Sequence, residues 1–183
     1  LSREERAARL RRNAFERALE DEKWEWIQVH IDEITDEDLK RKISERANQL
    51  GMKDWVCKYL GGYADSETIE AAIDNGDWGW LGNHAWKFED ELQEKVALAA
   101  AKAENWQWLS AYAEQIEISG CVLDIACSAR NAGARVLAVQ LSKSVMNAEQ
   151  LEDIVKDAFD ASDYEFVEML MDILPQKTLC DNC

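Results

Sequence analysis

The groups in this 183-residue chain that could do chemistry are two histidines, five cysteines and 37 carboxylate side chains. His30 and His84 stand far apart, and neither has a Cys or carboxylate at the spacing of a catalytic dyad or a zinc site, so both are expected as surface or packing residues. Cys180-Asp-Asn-Cys183 has redox-motif spacing, or could be the upstream edge of a metal domain. It lies in a terminal tail, however, not at the helix N-terminus that would lower a thiol pKa. Asp74 to Asp77 suggests a Ca²⁺ loop, but a loop begun at Asp74 would put Trp78 and Ala85 where oxygen ligands are required. Phosphate-cradling and dinucleotide glycine patterns are absent. The expectation is a non-catalytic protein without metal or cofactor.

Lys and Arg number 21 against the 37 Asp and Glu, for a net charge of -16 and a pI near 4.5. A surface so short of cations cannot neutralise phosphates, which argues against DNA, RNA and anionic membrane as direct partners. No apolar run approaches a membrane span and no apolar leader is visible. Cys57, Cys121 and Cys127 sit in apolar, helix-forming stretches, as free thiols do in a reducing compartment, so an intracellular and cytoplasmic rather than nuclear setting is expected. Leu1 in place of Met is expected for a segment of a larger protein. With one Pro, eight Gly and 47% hydrophobic residues, the composition predicts an all-α fold.

These elements recur. Ala18 leads to Trp24, Trp26 and Ile27 at offsets of six, eight and nine. The same offsets take Ala72 to Trp78, Trp80 and Leu81, Ala100 to Trp106, Trp108 and Leu109, and Ala158 to Tyr164, Phe166 and Val167. Ala47 keeps Trp55 and Val56 with Lys53 at the first offset, and Ala126 fits towards Val136 and Leu137 with a small insertion. Anchors near 18, 47, 72, 100, 126 and 158 have a mean spacing of 28 residues, so six units fill residues 1–175, with a frayed tail over 176–183. Each unit predicts an αα-hairpin whose first helix carries an apolar stripe such as Val96 and Ala100. An Ala-sized anchor lets two helices approach, while Trp, Leu and Ile fill the space between successive hairpins. Helices this short are stable only when stacked on neighbours. Thr35, Asp65 or Ser66, and Asn147 are the expected N-caps of the first helices of units two, three and six. Gly61, Gly62 and Gly120 are placed as C′ glycines, and Pro175 as the end of the last helix.

Asn75-Gly76-Asp77-Trp78-Gly79-Trp80-Leu81 resembles the turn and second-helix start of an ankyrin repeat, and Asp163-Tyr164-Glu165-Phe166-Val167 is similar. Cys121-Val122-Leu123-Asp124-Ile125-Ala126 falls where that family has Thr-Pro-Leu-His-Leu-Ala. The diagnostic Thr-Pro-Leu-His itself is missing, and with it the residues of the protruding β-hairpin. The resemblance implies a degenerate, mostly helical ankyrin-like array, or a related α-hairpin solenoid, used to bind another protein.

Two residue sets could serve that binding. Residues two apart on a helix point away from each other, so one ring of each Trp-x-Trp pair faces its own hairpin and the other a neighbour or solvent. Trp24, Trp78, Trp106 and Tyr164 share the offset that tolerates Lys53, which makes them the candidate aromatic stripe, against the plainer reading that all are core. Acidic clusters recur where hairpins join, at Asp36, Glu37 and Asp38, at Asp65 and Glu67, and at Glu89, Asp90 and Glu91. Aligned along one edge they would attract a basic partner, and the plainer reading is a solvated face near helix N-termini. The N-terminal arginines, Arg3 to Arg17, are interleaved with Glu and Ala, as on an exposed helix. The expected function is a protein-interaction scaffold. Its rivals are an acidic mimic of nucleic acid that occupies a DNA- or RNA-binding protein, and an oligomerisation or autoinhibitory segment.

Overall fold

The structure is a computed structural model and describes residues 1–172; the expectations for Pro175 and for the tail with Cys180 and Cys183 fall outside these residues. Among the described residues the chain forms α-helices and short 3₁₀ turns and no strand. The helices are α1 (Arg3–Glu20), α2 (Trp24–His30), α3 (Glu37–Gln49), α4 (Lys53–Tyr59), α5 (Ser66–Asp74) and α6 (Trp78–His84). They continue as α7 (Asp90–Lys102), α8 (Trp106–Tyr112), α9 (Val122–Asn131), α10 (Arg135–Ser144), α11 (Ala148–Asp160) and α12 (Tyr164–Met171). The 3₁₀ turns Ile31–Glu33, Gly61–Tyr63, Ala85–Lys87 and Ala113–Gln115 follow α2, α4, α6 and α8.

One turn geometry joins each odd-numbered helix to the next. The carbonyl of an alanine accepts the N–H five residues on, at 2.7–2.9 Å: Ala18 from Lys23, Ala47 from Met52, Ala72 from Asp77, Ala100 from Asn105, Ala129 from Ala134 and Ala158 from Asp163. The residue four after that alanine is left-handed, with φ between 51° and 87°, at Glu22, Gly51, Gly76, Glu104, Gly133 and Ser162. This is a Schellman-type helix ending, and the even-numbered helix begins two residues later. The alanines whose carbonyls close these turns coincide with the sequence anchors except in the fifth pair. There Ala129 replaces Ala126, and no insertion is needed. The aromatic ruler slipped because Arg135 and Leu137 occupy the offsets that carry aromatics elsewhere. The residue nine after each anchor, from Ile27 to Val167, is buried every time.

Two further expectations shift. Gly61 opens a 3₁₀ turn, and Gly120 is not left-handed; the left-handed glycines are Gly51, Gly76 and Gly133, inside the pairs. Asp36, not Thr35, caps α3 by accepting the N–H groups of Asp38 and Leu39, because its carboxylate reaches both at 3.1 Å. Asp65 accepts from the Thr68 N–H at 2.7 Å at the start of α5, and Asn147 with Gln150 forms the reciprocal capping box of α11.

The chain divides into two compact units, Leu1–Thr68 and the residues from Ile69 onward. In the first, α1 packs on α2 and α3, and α3 on α4, around Phe15, Ile27, Ile31, Leu39, Ile43 and Val56. In the second, α7 packs on α9 and α9 on α11, while α6 packs on α8, α8 on α10 and α10 on α12. Helix α6 offers a paired test of this packing. Gly82 is buried, and a Cβ there would lie 2.5 Å from the Tyr112 ring, whereas at Gly79 nothing stands within 4 Å. Exchanging Gly for Ala inside a helix ordinarily stabilises by about 0.5–1 kcal/mol. Gly79→Ala should therefore raise the melting temperature, and Gly82→Ala should lower it through an overpacking penalty of about 1–3 kcal/mol. Thermal melts of the two variants check the opposite signs.

Candidate functional site

The four aromatic candidates all stand first in an even-numbered helix, and packing treats them differently. Trp24, in the first unit, meets Trp55 edge-on at 5.3 Å and is half-buried. In the second unit Trp78 lies 5.7 Å from Trp108, whose indole N–H donates to the Trp78 carbonyl at 2.9 Å. Trp106 is half-buried, and only Tyr164, 58% exposed and set edge-on to Phe159, stands largely in solvent. Trp26, at the offset expected to be inward, is 39% exposed and stacks on Phe15 and His30.

The acidic candidates split into bonded and unbonded groups. Asp36 and Asp38 both accept from the Arg12 guanidinium, at 2.5 and 2.9 Å. The Leu39 N–H and Arg12 hold the Asp36 carboxyl below the usual carboxylate range. Glu37 accepts from the Tyr63 hydroxyl, the main reason its pKa is lowered, and from Lys40 at 3.0 Å. Burial pushes the Asp65 carboxyl up, but the Thr68 hydroxyl and N–H outweigh it and leave the pKa lowered. Glu67, Glu89, Asp90 and Glu91 are exposed, and no hydrogen bond or ion pair holds their side chains among the described residues.

Asp36, Glu37, Asp65, Glu117 and Asp163 thus all sit below their ordinary values in the folded chain. A lowered folded-state pKa contributes stability that is present above the unfolded value and is lost as pH falls through the folded one. The melting temperature is expected to hold from neutrality to about pH 5 and to fall below about pH 4. Melts across that range test the sign.

Charge is unevenly spread. Residues 1–68 hold 13 Lys and Arg against 16 Asp and Glu, whereas residues 69–172 hold 7 against 20. Of these cations, Lys95 is paired with Glu70, Arg130 with Asp157 and Asp163, and Arg135 with Asp163.

One buried side chain organises the junction that carries Glu89, Asp90 and Glu91. Gln93, 6% exposed, donates from its amide nitrogen to the carbonyls of Phe88 at 2.6 Å and Trp86 at 3.3 Å, and its oxygen accepts the Glu117 N–H at 2.7 Å. Glu117 in turn accepts from the Ser119 N–H at 2.9 Å and from its hydroxyl. The Trp86 turn, the start of α7 with Glu89, Asp90 and Glu91, and Glu117 therefore converge on a single amide. Trp86 is 54% exposed; its indole N–H donates to the Asn83 carbonyl, and the Lys87 ammonium lies 5.1 Å from its ring centre. Trp86 stands outside the repeat pattern of the sequence. The available signal was that seven of the eight tryptophans fall at offsets of six or eight from an anchor and Trp86 does not.

No protein-family model, curated protein or solved structure matches this chain.

His30 Nδ1 lies 2.9 Å from Glu33 Oε1 on the surface, and His84 stacks on Trp80. Among the described residues, no group of three or more His, Cys, Asp and Glu is arranged to hold a metal ion. Burial, reinforced by neighbouring carboxylates, pushes the Cys121 thiol up to about 12 and that of Cys127 to about 11. At about pH 8 both should alkylate at least about a hundredfold more slowly in the native chain than in urea. Peptide mass spectrometry of iodoacetamide-treated protein reads each site separately.

Proposed function

We propose that this chain is a non-catalytic protein-interaction domain, an α-solenoid of six ankyrin-like helix pairs that presents an acidic, aromatic-bearing surface to a partner with a basic face. The recurrence of one turn supports the architecture, as does odd-on-odd and even-on-even packing in the second unit. The side-chain hydrogen bonds that tie one pair to another support it too. Arg46 to Glu22 and Arg12 to Asp38 in the first unit, and Gly120 to Glu94, Arg130 to Asp157 and Gln150 to Ser119 in the second, span 24 to 31 residues, the length from one pair to the next. Arrays whose repeats bond only to their neighbours leave long faces free for recognition.

The observation that carries the functional reading is the excess of acid in residues 69–172, with Glu89, Asp90 and Glu91 exposed and unbonded. Complementary charge sets partner choice and association rate, and exposed aromatics supply the desolvated contact. Among the described residues no helix is long and apolar enough to cross a membrane.

The test is affinity capture on the purified chain at low salt and again at about 0.5 M, where charge attraction reaches only a few ångströms, followed by reconstitution with each purified partner. A discrete set of proteins that rebinds and withstands both salts supports the scaffold. Retention of nucleic-acid-binding proteins alone, lost at high salt, replaces it with the mimic. No capture, together with a mass that rises with concentration, replaces it with self-association.

A further inference from the structure

Packing accounts for most of the tryptophans, and it does not account for Trp86. Trp86 is the middle residue of the 3₁₀ turn Ala85–Lys87, and the middle residues of the other three such turns are Asp32, Gly62 and Glu114. All four positions are exposed, while the first residue of each turn, Ile31, Gly61, Ala85 or Ala113, is buried. The turn therefore needs a residue that fits the core at its first position and a solvent-tolerant one at its second. Trp86 at the second position is 54% exposed, and its links to the fold are local, an indole N–H on the Asn83 carbonyl and the neighbouring Lys87 ammonium over the ring. Exposed aromatics of this kind are typical contact residues.

Its surroundings state what the contact would be. Glu89, Asp90 and Glu91 follow directly in the chain, exposed and unbonded among the described residues, and Gln93 draws Glu117 to the same turn. The Lys87 ammonium already lies over the Trp86 ring, so a cation is the natural companion of that ring even within the chain.

We propose that this junction, formed by Trp86, Glu89, Asp90, Glu91 and Glu117, docks an arginine-rich segment of a partner protein, one guanidinium stacking on the indole while its neighbours pair with the carboxylates. Arginine is favoured over lysine because its planar, weakly hydrated head stacks on an aromatic face and forks onto a carboxylate at once. The inference rests on the reading of the chain as an interaction domain and assigns that reading a docking point and a partner chemistry.

An arginine-rich peptide, and an equally long glutamate-rich one as control, are titrated into the full chain by calorimetry at low salt. Indole and backbone N–H chemical shifts locate the contact. The arginine peptide alone should bind and should move the Trp86 indole signal most. Trp86→Ala should weaken binding about tenfold, with Trp86→Phe recovering part of the loss. The triple variant Glu89→Gln, Asp90→Asn, Glu91→Gln should weaken it about tenfold as well, while Glu149→Gln, Glu152→Gln, Asp153→Asn on α11, an identical change of net charge, should cost less than about twofold. Equal losses from the two triple variants, or unchanged affinity in a folded Trp86→Ala chain, overturn the proposal in favour of diffuse attraction. Binding that maps to another face overturns the docking point and leaves the interaction reading standing. Absence of binding overturns the proposal, and the capture experiment then decides the interaction reading on its own.

Discussion

Asp163→Ala should destabilise the second unit by about 3–5 kcal/mol, the range for removing one partner of a buried ion pair. Arg130 is only 4% exposed. Its two terminal nitrogens donate to Asp163 at 3.1 Å and Asp157 at 2.6 Å, and its Nε has no partner. Asp163 is itself nearly buried, and it also accepts from Arg135 Nε at 3.0 Å and from the Phe166 N–H at the start of α12. Burial pushes the Asp163 carboxyl up, but Arg130, the Phe166 N–H and Arg135 together bring it below the ordinary value. Alanine would remove a helix cap and leave the buried guanidinium with Asp157, a half-exposed carboxylate, as its sole counter-ion. Urea denaturation measures the loss. Arg130→Met combined with Asp163→Ala should recover part of it, since an apolar pair carries no unmatched charge. A single-variant loss below about 1 kcal/mol would mean that water takes over the role of the carboxylate.

In the first unit the largest expected effect is at Ile43. Residues Leu39, Ile43 and Ala47 lie four apart on α3, and all three are buried, with Ile43 and Ala47 fully enclosed. The core they face includes Phe15, Ile27, Ile31 and Val56, so Ile43→Ala would open a cavity bounded by side chains from several helices. The expected destabilisation is about 2–5 kcal/mol, with the higher part of the range reached if the site cannot collapse. Thermal and urea unfolding check the value, and Lys42→Ala, an exposed neighbour on the same helix, should change stability by less than about 0.5 kcal/mol.

Helical class, the recurring anchors and the starts of the even-numbered helices were legible because small and aromatic residues mark them at constant offsets. The left-handed turn residues were not. Glycine fills only Gly51, Gly76 and Gly133, while Glu22, Glu104 and Ser162 adopt the same conformation without a residue type that announces it. The Ala-to-Gly offset of four, seen at Ala47 and Ala72, would have located Ala129 where the aromatic offsets failed. Of the acidic candidates, the sequence could not separate Asp36, which caps a helix and holds Arg12, from Glu89, which holds nothing, because partners such as Arg12 and Tyr63 are brought in by the fold from some 24 to 26 residues away. Trp86 was hidden for the opposite reason. It belongs to no repeated offset, and its significance lies in the contrast with Asp32, Gly62 and Glu114, which hold the same place in its counterpart turns.

Gln93 bears on the timing and entropy of any encounter at that junction. Because one enclosed amide holds the carbonyls of Trp86 and Phe88 and the N–H of Glu117 together, the main chain there is ordered before anything arrives. An incoming segment then meets a main chain already held in place, so the ordering cost falls on the segment and on the exposed side chains it engages. Association should follow rigid-body collision kinetics set by charge, and related segments should differ mainly in how long they stay.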